Sequence, residues 1–201
     1  MFKLVYDTLL EKKTRKILLD SSLFNAIYKT IKDYVQPILE VLMMGMIIFV
    51  VLDSDENVEV ILGVTYAVIF FISSFASRYS YVLLNKFNRD SILNISWLLS
   101  LIVYVLLSIF INSLYAVILL FVLIYILQNI RKPLMVGKIG DNSNNTNTAS
   151  ILSVESQLTS MFTIVMAPAL GFVYDNFGPQ YVFIVLASIS LMMFIVKKKE
   201  H

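Results

Sequence analysis

Residues 92–111 read ILNISWLLSLIVYVLLSIFI, residues 112–113 are Asn-Ser, and residues 114–130 read LYAVILLFVLIYILQNI. Two runs without a single charge are separated by two polar positions. As helices rising about 1.5 Å per residue, runs of this length approach or cover the ~30 Å hydrocarbon core of a bilayer. Four more blocks of the same kind flank them, at 35–52, 60–75, 158–174 and 181–196, and Glu40 is the one charged residue inside any of the six. Several are short for a span, so the helices are expected to run a turn or more past these limits. Helix is the expected form because lipid offers no partner to backbone N–H and C=O groups. A barrel would need alternating ten-residue segments, and none occurs.

The composition agrees. The 201-residue chain is 58% hydrophobic and 15% charged, with a mean hydropathy of +0.79; soluble domains average nearer half apolar and a quarter charged. It has no cysteine, which excludes a disulfide framework and thiolate metal sites. Its first sixteen residues carry Lys3, Asp7, Glu11, Lys12, Lys13, Arg15 and Lys16, unlike a cleavable signal peptide.

Charge sorting tests the span count. Six crossings place 1–34, 76–91, 131–157 and 197–201 on one side of the membrane and 53–59, 112–113 and 175–180 on the other. All sixteen Lys and Arg residues fall in the first set, while the second carries only Asp53, Asp55, Glu56, Glu59 and Asp175. Basic residues stay cytoplasmic during insertion, so both termini are expected in the cytoplasm and the chain in the plasma (inner) membrane. A wrong span count would scramble this separation.

Residues 1–34 form a basic amphipathic lead, with Leu19, Leu23, Ala26, Ile27, Ile31, Tyr34 and Ile38 at helical spacing. It reads either as an interfacial helix with snorkelling lysines or as the lower half of the first span, kinked at Pro37 with its polar face on a wet cavity. Residues 35–196 form the membrane domain and 197–201 a cytoplasmic tail. Gly140 to Thr148 is a polar, Asn-rich stretch read as a flexible cytoplasmic connection.

Much chemistry is missing. The sole histidine is His201, so triads, thiol nucleophiles and histidine metal sites are unavailable. Gly137-Lys138-Ile139 lacks the Ser or Thr and the leading glycine of a phosphate-binding loop. The basic residues face head groups without interleaved aromatics, unlike a nucleic-acid surface. No enzyme activity, metal or cofactor is expected.

Polar groups near the spans are therefore the candidate site. Lys32, Asp33, Gln36 and Glu40 share one helix face at roughly i, i+4 and i+8 spacing, either as solvated charges at the interface or as a substrate or coupling site. Glu155 and Gln157 lead into the fifth span, either as a cytoplasmic cap or as part of the same site. Arg131, with Lys132, ends the fourth span, where the plain expectation is anchoring to lipid phosphates; Arg131 is also carried as a site candidate.

Several stretches resemble the carboxyl-terminal half of major facilitator superfamily transporters. Thr148-Ala149-Ser150-Ile151-Leu152-Ser153 looks like the start of that family's eleventh helix, without its arginine. Pro168, Gly171, Asp175 and Gly178 are similar to its Pro-x-x-Gly-x-x-x-Asp-x-x-Gly exit. Asn129-Ile130-Arg131-Lys132-Pro133 resembles the end of the tenth helix, and Lys32-Asp33-Tyr34-Val35-Gln36-Pro37 the seventh helix of some bacterial members. Leu84-Asn85-Lys86-Phe87-Asn88-Arg89 sits where the family often carries Asp-Arg-x-Gly-Arg, with Asn85 and Asn88 replacing the acid and the glycine.

The resemblance implies an all-α membrane fold of six transmembrane helices as two inverted three-helix repeats, 35–111 and 114–196, forming half of a transporter. Such a half would move a small-molecule solute by alternating access, driven by an ion or proton gradient, against a missing amino-terminal six-helix half or a second copy. Met1 opening into what resembles the central loop points to a truncated or split transporter. The alternative is a membrane-spanning permease subunit of an ATP-driven transporter, which would need a cytoplasmic coupling helix that the Asn-rich stretch does not resemble. A channel would need a pore segment, for which Asn112-Ser113 is too short.

Overall fold

A computed structural model describes residues 11–44, 55–143 and 148–198. The described residues form six helices: α1 Lys12–Met44, α2 Asp55–Lys86, α3 Arg89–Ile109, α4 Leu114–Asp141, α5 Thr148–Phe177 and α6 Pro179–Lys198. Residues 45–52 of the first expected span, the 144–147 part of the Asn-rich stretch and His201 lie outside them. By length and apolar composition, five helices can cross a membrane: Leu62–Lys86 of α2, and α3, α4, α5 and α6 throughout. The described part of α1 does not qualify, because Lys12, Lys13, Arg15, Lys16, Asp20, Lys29, Lys32 and Asp33 dilute it.

From Lys12 to Met44, the described parts of the basic lead and of the apolar stretch after it are one continuous helix, α1, which passes through Pro37. Its buried stripe runs Phe24, Ile27, Ile31, Val35, Ile38 and Leu39, the i, i+3, i+4 rhythm of a helix set into a bundle. Leu19, expected on that stripe, is instead 40% exposed and Leu18 is buried, a rotation of one position. Two other helices overrun their expected ends. α2 stays helical through Arg78 to Lys86. α4 continues past Pro133 to Asp141: proline removes one N–H, but the helix resumes because Leu134, Met135 and Ile139 bury in a second, smaller core with Ile17, Leu18, Leu93, Ile151 and Val154.

Packing is most extensive between α3 and α6, then between α1 and α5 and between α2 and α4; α4 also packs against α1 and α3. Ser100 and Ser190, both buried, meet across α3 and α6 with oxygens 3.4 Å apart, small residues that let helices approach closely in lipid. Phe121 and Phe183 extend the main core, with ring centroids 6.2 Å apart. By contrast, α2 presents exposed Phe70, Phe71, Phe75 and Tyr79, and α5 presents exposed Met161, Ile164, Val165 and Phe172.

The α2–α3 turn is tied to α4. Asn88 caps α3, its side chain accepting from the Asp90 N–H at 3.4 Å. Arg89 pairs with Asp141, and Lys138 pairs with Asp90 at 2.5 Å. The α5–α6 turn rests on Gly178, whose φ of +98° is left-handed and whose added Cβ would lie 3.0 Å from the Gln180 side chain. Gly178→Ala should lower stability by about 1–2 kcal/mol, read as a lower melting temperature in detergent. Gly140→Ala, where a Cβ meets nothing within 4 Å, should leave melting unchanged or slightly raise it.

Candidate functional site

Two polar clusters meet on α1. The deeper one is built around Asp20. One of its oxygens, Oδ1, accepts from Arg131 Nη2 at 2.8 Å and from Trp97 Nε1 at 2.7 Å, and the other pairs with Lys197. The Arg131 side chain also donates through Nη1 to the Leu93 carbonyl at 2.7 Å and to Ser96 Oγ. Its guanidinium carbon lies 4.2 Å from the Phe24 ring centroid and 5.2 Å from that of Trp97, and these two rings meet edge-on at 4.8 Å. Arg131 is 2% exposed and Asp20 4%. Four helices, α1, α3, α4 and α6, thus converge on one carboxylate. Guanidinium suits this place: its planar fork serves several acceptors at once, and its face packs on aromatic rings.

Arg131 therefore does not reach lipid phosphates. Its neighbour on α4, Lys132, is exposed on a different side of the helix, because consecutive helical residues point about 100° apart.

The second cluster is centred on Glu155 of α5. Glu155 Oε1 accepts from Ser21 Oγ at 2.9 Å and from Asn25 Nδ2 at 2.6 Å, and its carbonyl accepts from Ser22 Oγ at 3.0 Å and Thr159 Oγ1 at 2.9 Å. Gln128 of α4 then donates from Nε2 to Asn25 Oδ1 at 2.7 Å. Among the described residues, buried Gln128 Oε1 has no hydrogen-bond partner. This chain borders a cleft of about 260 Å³ that Lys29, Lys32 and Lys132 also line.

Of the four predicted residues on α1, three share a cleft and the fourth is bonded to one of them. Lys32, Asp33 and Gln36 line a neighbouring cleft with Tyr66, Phe70 and Tyr125, whereas Glu40 accepts from Gln36 Nε2 at 2.8 Å. Lys32 lies on both clefts, so α1 brings the Glu155 group and the Lys32 group onto one continuous strip. Gln157 is exposed and is not among the residues lining either cleft. Pro37 and Pro168 lie inside α1 and α5. A Cβ on Gly171 would touch the Tyr34 hydroxyl at 3.9 Å, ordinary contact, and Asp175 is exposed near the end of α5. Asp20, Trp97, Ser96 and Lys197 are additions that the sequence reading missed.

A helical bundle with one closed side and a polar strip on another is shared by many membrane proteins; the sequence pattern decides among them. Residues 19–199 match the model of the Major Facilitator Superfamily. The chain belongs to that superfamily. It is accordingly an integral membrane protein of a transporter family, and the matched region takes in both clusters. No curated protein matches this superfamily member significantly.

Asp20→Asn leaves the buried Arg131 without its counter-charge. Breaking a buried pair in this way costs about 3–5 kcal/mol, so a large loss of folded protein or of thermal stability in detergent is expected. Lys197→Met, which leaves the Asp20–Arg131 pair intact, should cost much less; equal losses would show that the pair is not what holds the four helices.

Proposed function

We propose that this superfamily member is the carboxyl-terminal half of a secondary transporter. In this proposal residues 35–52 supply the first of six spans, in addition to the five that the other helices can make, and both termini lie in the cytoplasm of a cell whose plasma (inner) membrane holds the protein. One observation carries the proposal: the polar strip of α1, α4 and α5 opens outward through exposed Lys29, Lys32, Asp33, Gln36 and Lys132 over a buried base that includes Gln128 and Thr159, while α3 and α6 close the other side of the bundle. A strip of amides and charges facing lipid would be costly. It belongs against a second half across a wet, solute-sized space, with the solute near the midplane.

The packing supports inverted three-helix repeats, 35–111 and 114–196, within a membrane domain of residues 35–196. Exchanging α1 with α4, α2 with α5 and α3 with α6 turns the α1–α5 contact into the α4–α2 contact, and both are extensive. The same exchange maps the α3–α6 pair onto itself. The exposed aromatic and aliphatic residues of α2 and α5 flank the strip and suit contact with a second half, either an amino-terminal six-helix segment or another copy. An ion or proton gradient would then drive rocking of the halves.

The absence of cysteine makes orientation simple to test. Ser113→Cys and Asn176→Cys should react with an impermeant maleimide on intact cells, and Asn142→Cys only after permeabilisation; the reverse pattern would refute the orientation. In vesicles holding the paired halves, solute uptake should follow an imposed ion gradient without ATP. An ATP requirement would shift the chain to the ATP-driven alternative.

A further inference from the structure

We infer that the cleft beside Glu155 takes a small organic anion that also carries a hydroxyl group, an assignment that rests on the transporter proposal and gives it a solute class. The argument begins with hydrogen-bond direction. A carboxylate can only accept, so Asn25 must turn its amide nitrogen to Glu155 Oε1, as the 2.6 Å contact requires. That leaves Asn25 Oδ1 facing α4, where Gln128 must present its own nitrogen, at 2.7 Å. The relay therefore ends in Gln128 Oε1, an acceptor with no donor on a side chain 93% buried. Glu155 fixes the polarity of the whole row. An acceptor left unpaired in a buried place is costly; Gln128 lines the cleft, so a small shift of its covered amide on solute entry would let a solute hydroxyl supply the donor.

Charge supplies the second half of the argument. Lys29, Lys32 and Lys132 line the same cleft, and among the described residues none of them has a hydrogen bond or ion pair. Among the described residues that line the cleft, Glu155 is the one carboxylate, and its Oε1 is committed to Ser21 and Asn25. Three uncommitted ammonium groups against one engaged carboxylate select an anion and repel a cation. A neutral sugar would satisfy Gln128 but leave the lysines unanswered, and a plain fatty acid would do the opposite.

Every group involved lies on this chain, so binding can be measured on the full chain in nanodiscs by titration calorimetry. Gluconate and glucose 6-phosphate, a carboxylate and a phosphate of similar hydroxylation, are the probes; hexanoate, glucose and choline are the controls. At least one hydroxylated anion should bind about tenfold or more tighter than each control. The double variant Lys29→Gln/Lys132→Gln should weaken that anion and hexanoate together. Gln128→Leu should instead remove most of the preference for the hydroxylated anion over hexanoate, with anion binding retained. Failure of both hydroxylated anions to bind, tighter binding of choline or glucose, or indifference to the double lysine variant would overturn the assignment. If the Ser113→Cys labelling holds while the anions fail, only the solute class falls; inverted labelling removes the transporter proposal itself.

Discussion

A carboxylate withdrawn from water between two cations sets the register of this bundle. Asp20 is nearly inaccessible and must be answered where it stands, because an unpaired buried charge is among the most expensive defects a fold can carry. Arg131 and Lys197 answer it from α4 and α6, and Trp97 from α3. Shifting α1 by one residue would swing Asp20 about 100° away from Arg131, so this single contact fixes both the depth and the rotation of α1.

That register has consequences farther along the helix. One turn past Asp20, Phe24 lies against the Arg131 guanidinium, and Asn25 beside it lies within reach of both Glu155 and Gln128. Another turn brings Lys29 and then Lys32 onto the cleft. The closed side of α1, which carries the ion pair, and its open side, which carries the polar relay, are thus two faces of one rigid element. The ion pair positions the relay without touching it.

Much of the fold was legible in the sequence because lipid leaves a coarse signature. Long uncharged runs marked α3, α4 and α6, and even the two-residue α3–α4 joint was legible as Asn112-Ser113. Helix ends were less legible: Pro133 looked like a terminus, but the apolar residues beyond it bury in the second, smaller core and pull the helix onward. Glu155 was recognisable as a carboxylate near a span. Asp20 was not, since position in a basic lead made it look like one more solvated charge; yet it lies four and seven residues before Phe24 and Ile27, on the buried stripe, and an acid on an apolar stripe is a signal in its own right. Lys197 was hidden for a different reason. It sits among three consecutive tail lysines, and only the antiparallel approach of α6 to α3 brings it back to Asp20. The Gln128 relay pairs residues over a hundred positions apart, which no local spacing reveals.

Trp97 is the only indole in the chain, and it donates to Asp20 while facing the Arg131 guanidinium. Ultraviolet emission from this protein is consequently dominated by one fluorophore at the point where four helices join. Its colour and lifetime follow the polarity and the charge within a few ångströms of that indole, so the molecule carries an intrinsic gauge of whether its central contact is closed.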